Sequence, residues 1–156
     1  MKTHRDSPDA FSRQVSHRKL RRAADLLICL FDRRRKVGLP HPPKHVGVFL
    51  LDSKAMSKLK RDAWRASHRR TASSAGPVDV LAFPHHREVP YPEIRGEFLG
   101  DVYLNFELYG KKFDRLLFLL VHGILHLFGY QHTKKRDTIA MEELESTLWR
   151  HLSLLV

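Results

Sequence analysis

The sequence predicts an α+β fold in which helices pack on a small β-sheet. Helical and extended patterns follow one another in the order helix, strand, helix, strand, strand, helix, helix, without the regular alternation of a parallel α/β protein. Phe113 and residues 116–121 make the first half of a predicted helix apolar nearly all round, which is typical of a helix buried within a fold. The 156 residues suffice for one domain with a hydrophobic core.

The first helix is predicted for residues 16–37, where apolar side chains recur at helical spacing among arginines and lysines. Gly38 favours the end of this helix, and the three prolines that follow prevent its continuation. Residues 1–15 are polar and show no hydrophobic period, so we expect a flexible N-terminal tail. Residues 16–156 are then expected to form a single domain.

Three β-branched and apolar runs predict strands, at residues 45–51, 78–83 and 97–106. Gly100 interrupts the third of them. Asp52 and Ser53 are good N-cap residues and predict a helix that continues to Arg65. The proline-rich segment 84–96 is predicted to be a loop, with room for a fourth strand.

Two helices are predicted for the C-terminal part of the chain, at residues 111–127 and 136–152. A basic link follows His132 and joins them. The second of these helices has a predicted apolar stripe that consists of Ile139, Met141, Leu144, Leu148 and Leu152.

Three histidines in the segment 122–132 predict a metal site. His122 and His126 are four residues apart and therefore lie on one face of a helix. Gly129 can adopt the left-handed conformation that ends a helix and turns the chain, which brings His132 back toward the other two. Three imidazoles leave the fourth position of a tetrahedral zinc open, as in catalytic rather than structural sites.

The same spacing occurs in the zinc-protease motif H-E-x-x-H-x-x-G-x-x-H, with one difference. That motif has a glutamate as general base directly after the first histidine, where this chain has Gly123. Glycine cannot accept a proton, so the sequence predicts a three-histidine metal centre without the base of a protease.

The stretch H-G-x-L-H-L-x-G-Y-x-H at residues 122–132 resembles the signature of the YbeY family of zinc-dependent endoribonucleases, which act in ribosomal RNA maturation. Two further stretches are similar to that family's motifs. V-D-V-L-A-F-P at 78–84 resembles T-D-V-L-S-F-P, and L-G-D-V-Y-L at 99–104 resembles its L-G-D-I strand. The resemblance extends from about residue 45 to the C-terminus.

The resemblance implies a small mixed β-sheet with the zinc-site helix buried against it, in a single metal-dependent hydrolase domain. It implies one zinc ion per chain, held by His122, His126 and His132. It also implies ribosomal RNA as the substrate and components of the small ribosomal subunit as partners.

Zinc held by three neutral imidazoles can lower the pKa of a bound water from about 15.7 to about 7. Cleavage of a phosphodiester also requires a cation near the phosphate, and the planar guanidinium of arginine suits this role best. By position, Arg65 matches an arginine that the family carries before the second strand. The intervening loop is longer than is usual in the family, so Arg69 and Arg70 are alternatives.

Some residues depart from the family pattern. Gln131 stands where the family usually has aspartate, and a glutamine can form hydrogen bonds but cannot act as a base. Asp79, in contrast, is retained. It either contacts a ligand histidine or is a structural residue at a strand end, and we favour the structural role. His85 and His86 are additional imidazoles, for which solvated loop positions are the commoner role.

The formal net charge of +11 favours an anionic partner such as a nucleic acid. The single cysteine, Cys29, excludes a disulfide within the chain and is expected to be a buried core thiol. The longest apolar stretch, 116–130, is too short to span a bilayer, and the first twenty residues lack an apolar signal core. We therefore expect a cytoplasmic protein with no membrane partner, and the sequence leaves its oligomeric state open.

Three functions follow as hypotheses. The first is a zinc-dependent endoribonuclease that prefers single strands and acts in ribosomal RNA processing. The second is a non-catalytic RNA- or ribosome-binding factor with a structural zinc, for which Gln131 is the best argument. The third is a metallopeptidase-like hydrolase, against which Gly123 argues.

Overall fold

The computed structural model describes residues 8–34, 44–66, 76–85 and 97–156. It has the predicted α+β architecture, with one short helix that the sequence did not predict, α3. The elements in chain order are α1 (Pro8–Arg34), β1 (Lys44–Leu51), α2 (Ser53–Ala66), β2 (Val80–Pro84), β3 (Glu97–Asn105), α3 (Phe106–Tyr109), α4 (Phe113–Leu127) and α5 (Lys135–Ser153).

The described strands form a mixed three-stranded sheet in the order β1-β3-β2. β1 runs parallel to β3, whereas β2 runs antiparallel to it. The mixed sheet confirms what the family resemblance implied. Residues 86–96, where a further strand had room, lie outside the described part of the chain.

Gly100 does not end β3 but forms a bulge in it. His45 of β1 pairs with Phe98 and Val46 pairs with Gly100, so Leu99 is an extra residue on β3. The φ angle of Gly100 is +139°, and a Cβ atom there would lie 2.2 Å from the carbonyl oxygen of Phe83. Only glycine therefore fits this position of the L-G-D motif.

α4 is the central helix of the core. It packs on β2 and β3 and has contacts with both α1 and α5, and eight of its fifteen residues are buried. At Gly123 the helix lies so close to the sheet that a Cβ atom would be 2.7 Å from Cγ1 of Val102 and 3.3 Å from Cγ2 of Val80. The burial of the metal-site helix against the sheet is confirmed.

Asn105 fixes the end of β3 to the elements around it. Its buried side-chain amide donates hydrogen bonds to the carbonyl oxygen of Val78 at 3.0 Å and to Oγ of Ser53 at 3.1 Å. Its Oδ1 accepts from the backbone N–H of Leu108 and caps α3. One side chain thus joins β3, the start of α2, the residues before β2, and α3.

The first helix starts earlier than predicted, at Pro8, so the predicted boundary between tail and domain at residue 15 falls within α1. Two side chains bind the first half of α1 to the free edge of β1. The guanidinium of Arg13 donates to the carbonyl oxygen of Leu50, and Nε2 of His17 donates to that of Val48 at 2.7 Å. These tertiary contacts, rather than a hydrophobic period, hold this half of the helix.

Two predictions of burial were wrong. Cys29 is exposed, because it lies on the face of α1 that turns away from the sheet. Ile139 is 47% exposed, because the buried face of α5 consists of Met141, Glu145, Leu148 and Leu152.

Gly38 and the prolines after it lie outside the described residues. Among the helices that the structure describes, none has the length and apolar character needed to cross a bilayer.

Because α4 lies so close to the sheet at Gly123, we expect Gly123→Ala to destabilise the protein, although this substitution usually stabilises a helix. In an open helix, alanine in place of glycine stabilises by about 1 kcal/mol. Here the added methyl group must displace Val102, so we expect the free energy of unfolding to fall by about 1–3 kcal/mol. Denaturant unfolding of both proteins in chelator-treated buffer measures this without a contribution from metal. A gain in stability would contradict the packing described above.

Candidate metal centre

The structure brings His122, His126 and His132 together. His122 and His126 project from adjacent turns of α4, and His132 lies in the segment after it. The Nε2 atom of His122 is 3.0 Å from that of His126 and 3.5 Å from that of His132. One ring nitrogen from each histidine lies within 4.8 Å of the other two.

The turn that returns His132 to the helix is a Schellman motif around Gly129. Gly129 has a φ angle of +93°, which confirms the left-handed conformation predicted for it. Its N–H donates to the carbonyl oxygen of His126 at 3.0 Å, and the N–H of Tyr130 donates to that of Leu125 at 3.1 Å. These are the two bonds that define the motif, and they give the chain a fixed reversal.

Two acceptors set the orientation of the imidazoles on α4. Nδ1 of His122 lies 2.5 Å from Oε1 of Glu145, and Nδ1 of His126 lies 2.8 Å from the carbonyl oxygen of Tyr130. A carboxylate and a carbonyl can only accept, so each Nδ1 carries the proton and donates. Each Nε2 is then unprotonated, and its lone pair is directed at the space between the three rings.

This donor set fits a divalent metal ion. Tetrahedral zinc with Zn–N bonds of 2.0–2.1 Å separates its nitrogen ligands by about 3.3 Å, and the observed separations of 3.0 and 3.5 Å lie on either side of that value. Nitrogen lone pairs at this distance repel one another unless a cation or a proton lies between them. Three histidines here can therefore hold a metal ion.

The environment of His126 favours the neutral ring that binds metals. Burial lowers the pKa of His126, and the neighbouring His122 and His132 lower it further. The hydrogen bond to the Tyr130 carbonyl and the carboxylate of Glu145 act in the opposite direction, but the net shift of the pKa is downward. Fewer protons must then be displaced when a metal binds.

Glu145 is a site residue that the sequence analysis missed. It is only 5% exposed, although glutamate is rarely buried without a partner. A signal was present, because Glu145 lies four residues after Met141 and three before Leu148, in the middle of the buried face of α5. A carboxylate on an apolar face indicates a buried partner, which here is His122.

Three of the other predicted residues, Arg65, Asp79 and His85, lie in the described part of the chain. Arg65 is exposed in the last turn of α2. Asp79 forms an ion pair with Arg115 at 3.8 Å and not with a ligand histidine, in agreement with its structural role. His85 packs edge-on against the ring of Phe98. Arg69, Arg70 and His86 lie outside the described residues.

Gln131 is exposed between Tyr130 and His132. Its side chain forms no hydrogen bond with the described residues. Its amide is therefore available to a ligand beside the metal site.

Comparison with known proteins places the chain within one family. Residues 9–153 match the family model described as endoribonuclease YbeY. The endoribonuclease YbeY of Paramagnetospirillum magneticum is 34% identical over 128 residues, which cover 76% of this chain and 73% of the relative. That of Rhizobium meliloti is 30% identical over 94% of this chain and 84% of the relative. That of Acidothermus cellulolyticus is 31% identical over 83% of this chain and 82% of the relative.

The bond between Glu145 and His122 predicts a loss of metal affinity in the variant Glu145→Gln. A glutamine removes the charge that makes the imidazole a better ligand, and partners of this kind contribute about 10- to 100-fold in metal affinity. Competition with a chromophoric chelator measures the dissociation constant. Glu142→Gln, an exposed position on the same helix, is the matched control and should equal wild type. Equal affinities for both variants would show that Glu145 does not act on the metal site.

Proposed function

The chain belongs to the YbeY endoribonuclease family, and we propose on this basis that it is a zinc-dependent endoribonuclease of ribosomal RNA. The observation that carries the proposal is the convergence of three imidazole Nε2 atoms, two of them oriented by fixed acceptors, within a chain that matches the family over residues 9–153.

Zinc is the proposed metal, with one ion per chain. Imidazole ligands suit zinc, and three of them leave a position open for a reactant. A bound zinc supplies a Lewis acid and acidifies water at that position. Tyr130, Gln131 and His132 are exposed, so the site is open to a large substrate.

The chain's own residues have separate parts in this proposal. His122, His126 and His132 hold the metal. Glu145 and the Tyr130 carbonyl keep two of these rings in the tautomer that binds it. The amide of Gln131 can hydrogen-bond a substrate oxygen but cannot take up a proton.

We propose Arg65 as the cation that contacts the phosphate. Its guanidinium is exposed, and no ion pair joins it to a carboxylate of the described residues. An arginine in this state is available for a bidentate contact with phosphate oxygens.

The proposed partners are ribosomal RNA and components of the small ribosomal subunit, in the cytoplasm. The net charge of +11 supports a polyanionic partner. A non-catalytic RNA-binding factor is the second candidate. The family usually has an aspartate at position 131, which could act as a base, and the glutamine of this chain cannot.

Removal of the metal tests the proposed activity directly. We expect wild type to cleave a single-stranded RNA, to lose cleavage after dialysis against a chelator, and to regain it with zinc. His126→Ala should abolish cleavage and metal binding, because only two of the three histidine ligands remain. His151→Ala removes an exposed histidine of α5 and is the control. Undiminished cleavage by metal-free protein would refute the proposal.

The variant Gln131→Asp separates the two candidate functions. If Gln131 limits the rate, an aspartate there should raise the rate constant of the cleavage step while the zinc content stays at about one per chain, since Gln131 is not a ligand. Metal analysis and single-turnover cleavage measure both quantities. Cleavage by neither protein, with zinc bound to both, would favour the binding factor.

A further inference from the structure

α4 presents a single open stripe to solvent. Between residues 115 and 126 all side chains are buried except those of Arg115, Phe118, His122 and His126. Their spacing of three, four and four residues places all four on one face of the helix. On this face, the aromatic ring of Phe118 lies next to the two histidines, and the cation Arg115 follows it.

Contacts with neighbouring side chains hold Arg115 in place. Its guanidinium carbon lies 5.4 Å from the ring centre of Phe118 and 5.7 Å from that of Tyr109. One of its terminal nitrogens lies 3.8 Å from Oδ2 of Asp79. Burial and then the hydrogen bond to Asp79 raise the pKa of Tyr109, whereas its contact with Arg115 acts in the opposite direction.

These contacts orient Arg115 without using its capacity to bind an anion. The side chain is 45% exposed and that of Asp79 is 32% exposed, so their ion pair is weakened by water. A separation of 3.8 Å is also too long for a hydrogen bond. A guanidinium has five N–H donors, and most of those of Arg115 remain available to a phosphate.

The position of Arg115 suggests which phosphate it would contact. Seven residues separate it from His122, which corresponds to about 10.5 Å along the helix axis. This is too far for contact with a phosphate at the metal site, but it suits a phosphate farther along the same strand. Phe118 lies between the two points and offers part of its ring to solvent.

We propose that Arg115 and Phe118 form a binding subsite for a nucleotide beside the cleaved bond, with its phosphate on Arg115 and its base against Phe118. The inference rests on the proposed endoribonuclease function and adds the two residues that bind a flanking nucleotide. A base can stack on an aromatic side chain only when it is unpaired, so the subsite selects single-stranded RNA.

The test compares steady-state cleavage by wild type, Arg115→Gln and Arg115→Lys on two single-stranded RNAs. One RNA extends several nucleotides beyond the cleaved bond on both sides, and the other is a dinucleotide that cannot reach Arg115. The matched control is Arg61→Gln, an exposed arginine of α2. Thermal unfolding of each variant verifies that it is folded.

With the long RNA, Arg115→Gln should raise KM about tenfold and leave kcat nearly unchanged, because a charged hydrogen bond to a flanking phosphate is lost. The slope of log KM against log salt should decrease by about 0.7, the value for one phosphate contact on a single strand. Arg115→Lys should recover part of the affinity. With the dinucleotide, wild type and variants should be equal.

The outcomes distinguish the subsite from the function on which it rests. If wild type cleaves RNA and Arg115→Gln behaves like Arg61→Gln on the long RNA, the subsite is wrong and the endoribonuclease stands. A loss on the dinucleotide equal to that on the long RNA would also overturn it, because the effect would then lie at the metal site. If wild type cleaves neither RNA, both proposals fail.

Discussion

The contact between α4 and the sheet at Gly123 is the constraint on which the rest of the structure depends. Because this position has no side chain, the helix lies directly on Val102 and Val80. Buried leucines together with Val121 and Ile124 then fill the space between this helix and α1 and α5. One stripe remains open, and it carries His122 and His126. The direction of the two histidines thus follows from the packing of the rest of the helix.

The candidate metal centre depends equally on elements that supply none of its three histidines. α5 contributes Glu145, whose carboxylate is held in the core and fixes the His122 ring. α1 contributes Phe31, whose ring stacks on Phe128 at the end of α4 with 4.4 Å between ring centres. That contact lies next to the turn at Gly129. The arrangement of the three histidines therefore depends on the packing of three helices. Substitutions that disrupt either α1 or α5 are expected to alter the candidate metal site.

Local sequence signals predicted the features that have a local cause. Helical spacing placed His122 and His126 on one face, and the glycine at position 129 indicated the turn that returns His132. Features that depend on distant contacts were not predictable in the same way. The start of α1 depends on bonds from Arg13 and His17 to the edge of β1. The exposure of Ile139 depends on which face of α5 meets α4, and Glu145 should have indicated that face. The pair of Asp79 and Arg115 joins residues that lie far apart in the sequence and give no sign of each other there.

The difference from the zinc proteases has a structural cause as well as a chemical one. A protease of the H-E-x-x-H type carries its general base on the residue after the first histidine. In this fold that residue points into the sheet, where even a single Cβ atom would lie 2.7 Å from Val102. A glutamate at position 123 would have to separate α4 from the sheet before it could reach the metal. The fold therefore excludes the protease base from this position and leaves the open stripe of α4, with its aromatic ring and its arginine, as the proposed contact surface for the substrate. Such a surface suits a chain of phosphates better than a peptide, since a peptide backbone is neutral and would leave the guanidinium of Arg115 without an anionic partner from the substrate.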